Sequence, residues 1–446
     1  MEHKNLSIIR NLKIGTFHIG STMADVLGSG VWNRVMIQDL GYAATPVGLL
    51  LALRYFMAPL ATWAGQRSDY TNFRGYRRLP WVWGGRLMMV MGYLLVALST
   101  VALVRHGSAW WLGVVLGFII SSLGYSISGS TFLALVYDRA AENQRGRAIG
   151  IVWTFLLAGY AIAGILFAHL LPEYEENTFV TFFVTVGVLM IGIWLFALWG
   201  EEQALTEEEL SVEPPEEKRL PFMQEVRGLL ENHSARMLAW FMVLSFVAAF
   251  MQDALLEPFG GDVFDLPVGD TTRFQAYWGT MAILFSGITL LAYRMFPGIG
   301  YRRFTQGGVI LMIATFMLLN ITAFAELKSL LYPSLLLLGT GYGLWNIGTL
   351  GLMVENTRES KAGLDLGVWT LMVTLWRGGG VLAGTILFDL FAAVFDHDPT
   401  AYGVIFGIEA ILLVLSLFVL YQVDHRAITP DPENVKHDMI LSAVAD

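Results

Sequence analysis

Residues 75–78 read Gly-Tyr-Arg-Arg, and residues 300–303 read Gly-Tyr-Arg-Arg again in a chain of 446 residues. Each copy lies in a short polar segment between two long apolar runs, one after the second run and the other after the eighth. Further matches lie at similar offsets: Asp138 and Gly146 correspond to Glu355 and Gly363, and Met23-Ala24-Asp25 echoes Met251-Gln252-Asp253. Matches at several equivalent places indicate two similar halves that follow each other in parallel.

The composition predicts a membrane protein, because 55% of the residues are apolar, only 15% are charged and the mean hydropathy is +0.57. A helix needs about 20 mostly apolar residues to cross the hydrocarbon core of a bilayer. Twelve apolar runs of suitable length are bounded by charge, Pro and Gly. They lie near residues 14–37, 45–65, 81–104, 109–135, 148–170, 179–199, 235–256, 274–296, 305–325, 329–353, 366–391 and 402–422.

Two six-span halves in parallel repeat are typical of the major facilitator superfamily fold, with a ligand region near the midplane between the halves. We therefore predict an all-α membrane protein with 12 transmembrane helices. Its N-terminal half covers residues 1–199 and its C-terminal half covers residues 234–425. Residues 200–233 contain a run of eight glutamates and are predicted to be an acidic, solvated cytoplasmic linker, followed at the other end of the chain by a cytoplasmic tail over 426–446.

The distribution of basic residues predicts the orientation. With twelve spans and a cytoplasmic N-terminus, 21 of the 28 Lys and Arg residues fall on the cytoplasmic side and only 3 on the opposite side. Such a bias is the positive-inside signal, so both termini are expected in the cytoplasm. The polar, basic stretch 1–13 leads into the first span without a small-residue cleavage site, which predicts that this helix is not removed.

Several classes of function are disfavoured. The chain has no cysteine, so a disulfide, a thiolate metal site and a cysteine nucleophile are excluded. No Gly-rich phosphate loop with Lys and Ser/Thr is present, so no nucleotide is expected, and no catalytic signature suggests an enzyme. The net charge of −9 comes chiefly from the glutamate run, so no nucleic-acid partner is expected.

The loop after the second span resembles a motif of the major facilitator superfamily, in which a Gly and an Asp precede a Gly and an Arg cluster. Its residues here are Gly65, Asp69, Gly75, Arg77 and Arg78, and the counterparts in the second half are Gly300, Arg302 and Arg303. Two interpretations remain open: a cytoplasmic latch that breaks when the halves rock, or charge that sets the topology.

Arg86 and three other arginines fall within the apolar runs, and the three are singled out because charge in a bilayer is costly unless it has a partner. These are Arg34, Arg54 and Arg377, with Asp25 and Asp389 as candidate counter-ions. Ion pairs between the halves, ligand contact and snorkelling at span ends are the alternatives. Arg54 and Arg377 are the better ligand candidates, because Gly378-Gly379-Gly380 beside Arg377 lets a bulky flat group or another helix approach closely.

Asp253 and Glu257 lie four residues apart, which predicts one helical face near the non-cytoplasmic end of the seventh span. Pro258 and Gly260-Gly261 are expected to end that helix. The two carboxylates could form a gate or contact a pigment, or they could be ordinary polarity at a helix end.

The stretch 252–279 resembles the signature of the PucC/LhaA family. The match rests on Gln252-Asp253, Leu255-Leu256-Glu257-Pro258, Gly260-Gly261, Val268-Gly269 and Thr271-Thr272, with support from Leu27, Asn33, Arg34 and Met36 and from the loop that contains Ser68-Asp69 and Pro80. The resemblance implies a major-facilitator-like protein in the photosynthetic membrane of a phototrophic bacterium. It also implies (bacterio)chlorophyll or a precursor chlorin as cargo, and delivery to light-harvesting antenna complexes without chemical conversion. Antenna polypeptides are the implied partners, with pigment-synthesis enzymes as further candidates.

A chlorin carries magnesium that takes an axial ligand, and two histidines are placed to supply one. These are His18 in the first span and His169 near the end of the fifth. A neutral imidazole suits this role, although a membrane histidine is more often bonded to a neighbour. Whether a pigment would lie between the halves or on the outer surface is left open.

Two rival functions remain. One is a proton- or ion-coupled secondary transporter of a small amphipathic solute, with Asp25, Asp253 or Glu257 as the titrating group. The other is a membrane scaffold without carrier function.

Overall fold

The computed structural model describes residues 6–71, 73–141, 144–202, 222–296, 298–357, 362–395 and 398–423. Within these ranges the backbone is helical apart from turns and an isolated bridge between Phe73 and Tyr76. Most of the predicted acidic linker and the whole predicted tail lie outside the described residues, so the domain boundaries stay a prediction.

Within the described residues, helical segments lie at the places of all twelve predicted spans. Eleven are helices that are long and apolar enough to cross a bilayer. The first segment, residues 17–39, begins as the α-helix Phe17–Val26 and continues through π-helical turns at Leu27–Trp32 and Val35–Asp39. Spans 2 to 12 are Ala44–Tyr70, Leu79–His106, Ser108–Arg139, Arg145–Leu170, Glu176–Leu198, His233–Ala254, Val268–Met295, Tyr301–Phe324, Lys328–Glu355, Asp365–Phe395 and Asp398–Leu420.

The two halves have the same internal packing. In the N-terminal half, span 1 packs on spans 5 and 6, span 4 packs on spans 2 and 3, and span 3 packs on span 6. Each of these pairs recurs six spans later, as spans 7 with 11 and 12, 10 with 8 and 9, and 9 with 12. The repeat inferred from the sequence is therefore present in the arrangement of the helices, which is the major facilitator fold.

Contact between the halves runs along two pairs of helices, span 2 with span 11 and span 5 with span 8. Glycine allows the close approach in both pairs, because a Cβ on Gly48 would collide with Thr385 and one on Gly164 would collide with the backbone of Ala276. Small residues at helix crossings are the usual means of tight packing in a membrane.

Hydrogen bonds between the halves gather at one side of the fold. We call the side that contains Leu6 and Val423 the terminal side and the opposite one the far side. At the far side Asn33 Nδ2 donates to the Ala254 carbonyl oxygen at 3.0 Å, and Arg34 Nη2 donates to that of Leu266 at 2.9 Å. The halves are thus bonded to each other where the spans end at the far side, so the fold is closed on that side.

Span 7 corrects one sequence prediction. Its α-helix His233–Phe250 gives way to a 3₁₀ turn, Met251–Ala254, and a second helix, Leu256–Phe264, continues towards the far side. Pro258 does not end the helix, because it lies in the first turn, where its missing N–H would have had no partner. Asp253 and Glu257 are separated by the break and do not share one helical face.

The two glutamates that follow span 6 correct part of the predicted solvated linker. Glu201 is only 1% exposed and pairs with Arg10 at 2.7 Å and Lys13 at 2.9 Å. Glu202 accepts hydrogen bonds from the N–H groups of Arg77, Arg78 and Leu79 at 2.6 to 2.8 Å and so caps the start of span 3. These two glutamates are not a solvated linker, because unpaired helix N–H groups and basic side chains attract them to the N-terminal half.

Candidate functional site

The predicted loop motif forms a cluster inside the N-terminal half. Arg78 pairs with Asp69 at 2.5 Å and with Asp138 at 2.9 Å, and its Nη1 donates to Ser68 Oγ at 2.6 Å. All of these partners belong to the N-terminal half, so they do not join the two halves. Gly65 contributes its carbonyl oxygen to the same guanidinium.

The second copy of the motif makes different contacts. Tyr301 begins the helix of span 9, whereas the first copy precedes its helix and contains Gly75 with a positive φ of 85°. Arg302 donates to the carbonyl oxygens of Tyr421 at 2.9 Å and Val423 at 3.2 Å. The repeated tetrapeptide thus marks equivalent places in the fold without equivalent bonding; Gly300 precedes the helix and Arg303 is exposed.

Three spans of the N-terminal half present polar and aromatic residues at the same helical spacing. The pairs are His18 and Asp25 on span 1, Tyr125 and Phe132 on span 4, and Trp153 and Tyr160 on span 5. Seven residues are two helical turns, about 10 Å along the axis, so both members of a pair lie on one face. We call Asp25, Tyr125 and Tyr160 the midplane level, and His18, Phe132 and Trp153 the terminal level.

Arg54 and Asp25 form a buried ion pair at the midplane level. The two side chains are 10% and 7% exposed, and Tyr160 Oη donates to Asp25 at 3.3 Å. Arg54 also donates to Tyr55 Oη at 2.7 Å and lies over the Tyr55 ring at 4.7 Å. This pair therefore lies inside the N-terminal half and does not bridge the halves.

Arg377 faces Arg54 from the C-terminal half. Its guanidinium lies 5.1 Å from the ring centre of Tyr55 and 4.2 Å from that of Phe250. Its acidic neighbour is Asp253, at 3.7 Å, and the two side chains are 25% and 13% exposed. The longer distance and greater exposure leave Arg377 more available to a ligand than Arg54, because a hydrogen bond to a carboxylate is normally below 3 Å.

Both aspartates stand beside irregular helix. The π turns of span 1 begin two residues after Asp25, and Asp253 lies within the 3₁₀ break of span 7. Aromatic rings complete the contact between the halves here, since Tyr160 and Trp278 have centroids 5.0 Å apart. Interrupted helices at the midplane are the usual position of a substrate site in a transporter fold.

His18 dominates the terminal level. Neither of its ring nitrogens has a hydrogen-bond partner, although both are buried. Its ring is stacked with Trp153 at 6.2 Å and meets Phe132 edge to face at 5.3 Å. A buried imidazole without a partner is rare, because it forgoes bonds that water would supply, so His18 has coordinating capacity that the protein itself does not use.

The other predicted site residues lie elsewhere. His169 is exposed, its Nδ1 is 2.7 Å from the Ile165 carbonyl oxygen, and it shares an exposed face with Ile165 rather than with Tyr160. Arg34 pairs with Asp39 at 2.9 Å at the far side. Glu257 is fully buried and accepts hydrogen bonds from Gln275 at 2.6 Å and from Asn33 at 3.3 Å. These three residues are not brought together with Arg54 and Arg377.

Sequence reasoning did not assign a site role to Asn33, Gln275 or Arg86, and it expected Asp389 to pair with a buried arginine. Asn33 and Gln275 bond Glu257, Asp389 bonds backbone of the opposite half, and Arg86 lies beside the terminal level. Asn33 and Gln275 carried a signal, since both fall within the stretches that resemble the PucC/LhaA family. Arg86 could also have been found from the sequence, because it is a charged residue inside an apolar run.

A twelve-span protein with two repeated halves and paired charges at the midplane is a membrane protein of the major facilitator type. The description "PUCC protein" belongs to a family model that matches residues 31–428, and the chain belongs to this family. Solved structures support the fold. The chain is similar to a POT family transporter, with a TM-score of 0.68, 12% identity and coverage of 93% of this chain and 95% of that one. The chain is also similar to a bacterial homologue of the iron transporter ferroportin in the inward-facing state. The TM-score is 0.65 and the identity 15%, over 94% of this chain and 100% of that one.

Relatives of known source come from photosynthetic bacteria. The "Uncharacterized protein in puhA-bchM intergenic region" of Rhodobacter capsulatus is 29% identical, over 94% of this chain and 89% of that protein. "Protein PucC" of Cereibacter sphaeroides is 27% identical, over 93% and 92%. The "Bacteriochlorophyll synthase 44.5 kDa chain" of Rhodobacter capsulatus is 27% identical, over 88% and 90%. The family and the fold indicate an integral membrane protein.

Proposed function

We propose that this protein holds a (bacterio)chlorophyll or a precursor chlorin between its two halves and passes it to light-harvesting antenna polypeptides without chemical conversion. It acts in the photosynthetic membrane with both termini in the cytoplasm, beside enzymes of pigment synthesis. The observation that carries the proposal is His18, a buried imidazole without a partner among aromatic rings. A neutral imidazole is a common metal ligand, and stacked rings suit a flat macrocycle.

The midplane level suits the rest of such a cargo. Arg377 is partly exposed and loosely paired with Asp253, so its planar fork can donate to a ketone or carboxylate oxygen at the edge of a macrocycle. The break in span 7 and the π turns of span 1 give the two halves room to close around a ligand and to release it.

Pigment retention tests the proposal. The protein is purified in mild detergent from a host that makes bacteriochlorophyll, and its chlorin absorbance is compared with that of His18→Phe and His169→Phe. We expect His18→Phe to lose most of the pigment and His169→Phe to keep it, because His169 is exposed and lies beside the Ile165 carbonyl oxygen, whereas both ring nitrogens of His18 are buried without a partner. Loss of pigment in His169→Phe but not in His18→Phe would instead indicate a pigment site on the outer surface. Absence of pigment from the wild-type protein, with normal antenna levels in a deletion strain, would refute the function.

A second candidate function rests on Glu257. This carboxyl is buried between the halves and is bonded by the side-chain amides of Asn33 and Gln275. A buried carboxylate without a cation is costly in its charged form, which suits a proton carrier in a coupled transporter. Uptake of an amphipathic solute into vesicles, driven by a pH gradient and abolished in Glu257→Gln, would favour this function over pigment delivery.

A further inference from the structure

Arg86 on span 3 is a buried cation without an acidic partner. Its side chain is 1% exposed. Among the described residues no carboxylate lies within ion-pair distance of it; its polar contact is from Nη1 to the sulfur of Met89 at 3.8 Å, and its Nε has no partner. A guanidinium in the bilayer interior normally pairs with an acidic residue, so this one has unused capacity to bind an anion.

Aromatic rings hold the guanidinium in place. It lies over the ring of Phe17 at 4.3 Å and over that of Trp194 at 4.9 Å. The Trp194 indole is itself fixed, since its Nε1 donates to the Phe17 carbonyl oxygen at 3.1 Å. Cation–π contacts stabilise the charge from the ring faces but satisfy none of the five N–H donors in the way an oxygen would.

His18 lies next to this cation. The rings of His18 and Phe17 have centroids 5.8 Å apart, and Phe17 is also the ring that Arg86 covers. The imidazole and the guanidinium are therefore no more than about 10 Å apart. Two basic side chains with unused bonding capacity thus contact one group of aromatic rings. Trp153, which stacks on His18, is the exposed member of this group, with 50% of its side chain exposed.

We propose that Arg86 binds the free carboxylate of an unesterified magnesium chlorin whose metal is ligated by His18. The proposal rests on the proposed function and specifies its cargo as the carboxylic acid form, before a long-chain alcohol is attached. The His18 imidazole and the Arg86 guanidinium would bind two separate parts of one flat molecule. Imidazole meets the metal at the centre, and the guanidinium fork meets the carboxylate at the edge, which is the anion whose geometry it matches best. An ester has no charge there and would leave Arg86 unpaired.

Binding of a matched pair of ligands tests this inference. The purified full chain in detergent is titrated with a magnesium chlorin carrying a free propionate and with its methyl ester, followed by absorbance and fluorescence. We expect the wild type to bind the free acid at least about tenfold more tightly, since tenfold corresponds to about 1.4 kcal/mol, within the range of a charge-assisted hydrogen bond. Arg86→Gln should bind both forms equally, at the affinity of the ester. Arg86→Lys should recover part of the preference.

Arg145→Gln removes another guanidinium that lies over an aromatic ring, that of Tyr137 at 5.3 Å, and it should leave the preference intact. Equal binding of acid and ester by the wild type, or an unchanged preference in Arg86→Gln, overturns the role of Arg86 while the proposed function stands. Failure of the wild type to bind either form refutes the proposed function itself. Arg86→Lys keeps a cation at this position. A partly restored preference in Arg86→Lys therefore shows that the charge matters, and that misfolding does not explain the result in Arg86→Gln.

Discussion

Asp389 of span 11 caps the first turn of span 2 across the boundary between the halves. Its two carboxylate oxygens accept hydrogen bonds from the backbone N–H groups of Ala44 at 2.8 Å and Thr45 at 2.7 Å. The first N–H groups of a helix have no partner within the helix, and a carboxylate there also interacts favourably with the helix dipole. Asp389 was expected to be a counter-ion of a buried arginine, but it bonds backbone instead.

This cap predicts that Asp389→Asn loosens the far side. The amide keeps one oxygen acceptor but loses the charge and one bond, at a cost of about 1 kcal/mol, typical for a helix cap. Because the chain has no native cysteine, spin labels can be attached to His106→Cys and Lys328→Cys at the far side. We expect longer distances between the labels in Asp389→Asn. An unchanged distance distribution would mean that the cap does not help to hold the halves together.

Gly261 gives a second test of far-side closure. A Cβ at this position would collide with the guanidinium of Arg34, which donates to the Leu266 carbonyl oxygen of the other half. Gly261→Ala should therefore displace Arg34 and lower the melting temperature in detergent. Gly287→Ala is the matched control, since a Cβ there meets no atom within 4 Å and alanine has the better helix propensity. Equal stability of the two variants would contradict the close contact between Gly261 and Arg34.

The fold could be predicted from the sequence because its signals are long. The apolar runs and the charge bias each extend over many residues, the repeated Gly-Tyr-Arg-Arg marks equivalent places in the two halves, and the helical segments lie where the apolar runs lie. The break in span 7 was not predictable in the same way. Pro258 normally signals the end of a helix, and only the position of the preceding 3₁₀ turn shows that it instead begins a new one.

The site was predicted in part. Charge inside a bilayer is costly without a partner, which is why four charged residues were singled out: Asp25, Arg54, Asp253 and Arg377. In the structure both arginines lie by the ring of Tyr55, and each pairs with the aspartate of its own half. Their pairing within each half depends on helix rotation, which one sequence does not reveal. His169 has the same side chain as His18 but a different environment, and only packing separates the two.

Glu257 predicts a difference between two substitutions. Glu257→Ala would leave the amides of Asn33 and Gln275 without their shared acceptor and open a small cavity, so it should destabilise the protein by about 1–3 kcal/mol. Glu257→Gln keeps the shape and one oxygen acceptor and should cost less. Thermal unfolding in detergent measures both. Glu231→Ala serves as the control because Glu231 is exposed. A Gln variant as unstable as the Ala variant would indicate that the charged carboxylate is required there.

Arg54 and Arg377 should respond differently to removal, because their partners are buried to different extents. Arg54→Ala leaves Asp25 buried and unpaired, which typically costs about 3–5 kcal/mol, so low yield and a lower melting temperature are expected. Adding Asp25→Asn to Arg54→Ala should restore part of that stability, since no uncompensated charge remains.

Arg377→Ala should change stability less, since Asp253 is more exposed and its pairing with Arg377 is loose. If Arg377 contacts the cargo, this variant accumulates to normal levels in the membrane while the antenna complexes, measured by their absorbance in whole cells, fall several-fold. A scaffold without carrier function predicts the opposite: normal antenna levels in Arg377→Ala whenever the protein itself is present. The ratio of antenna absorbance to protein level therefore separates a carrier from a scaffold, independently of whether the variant is somewhat destabilised.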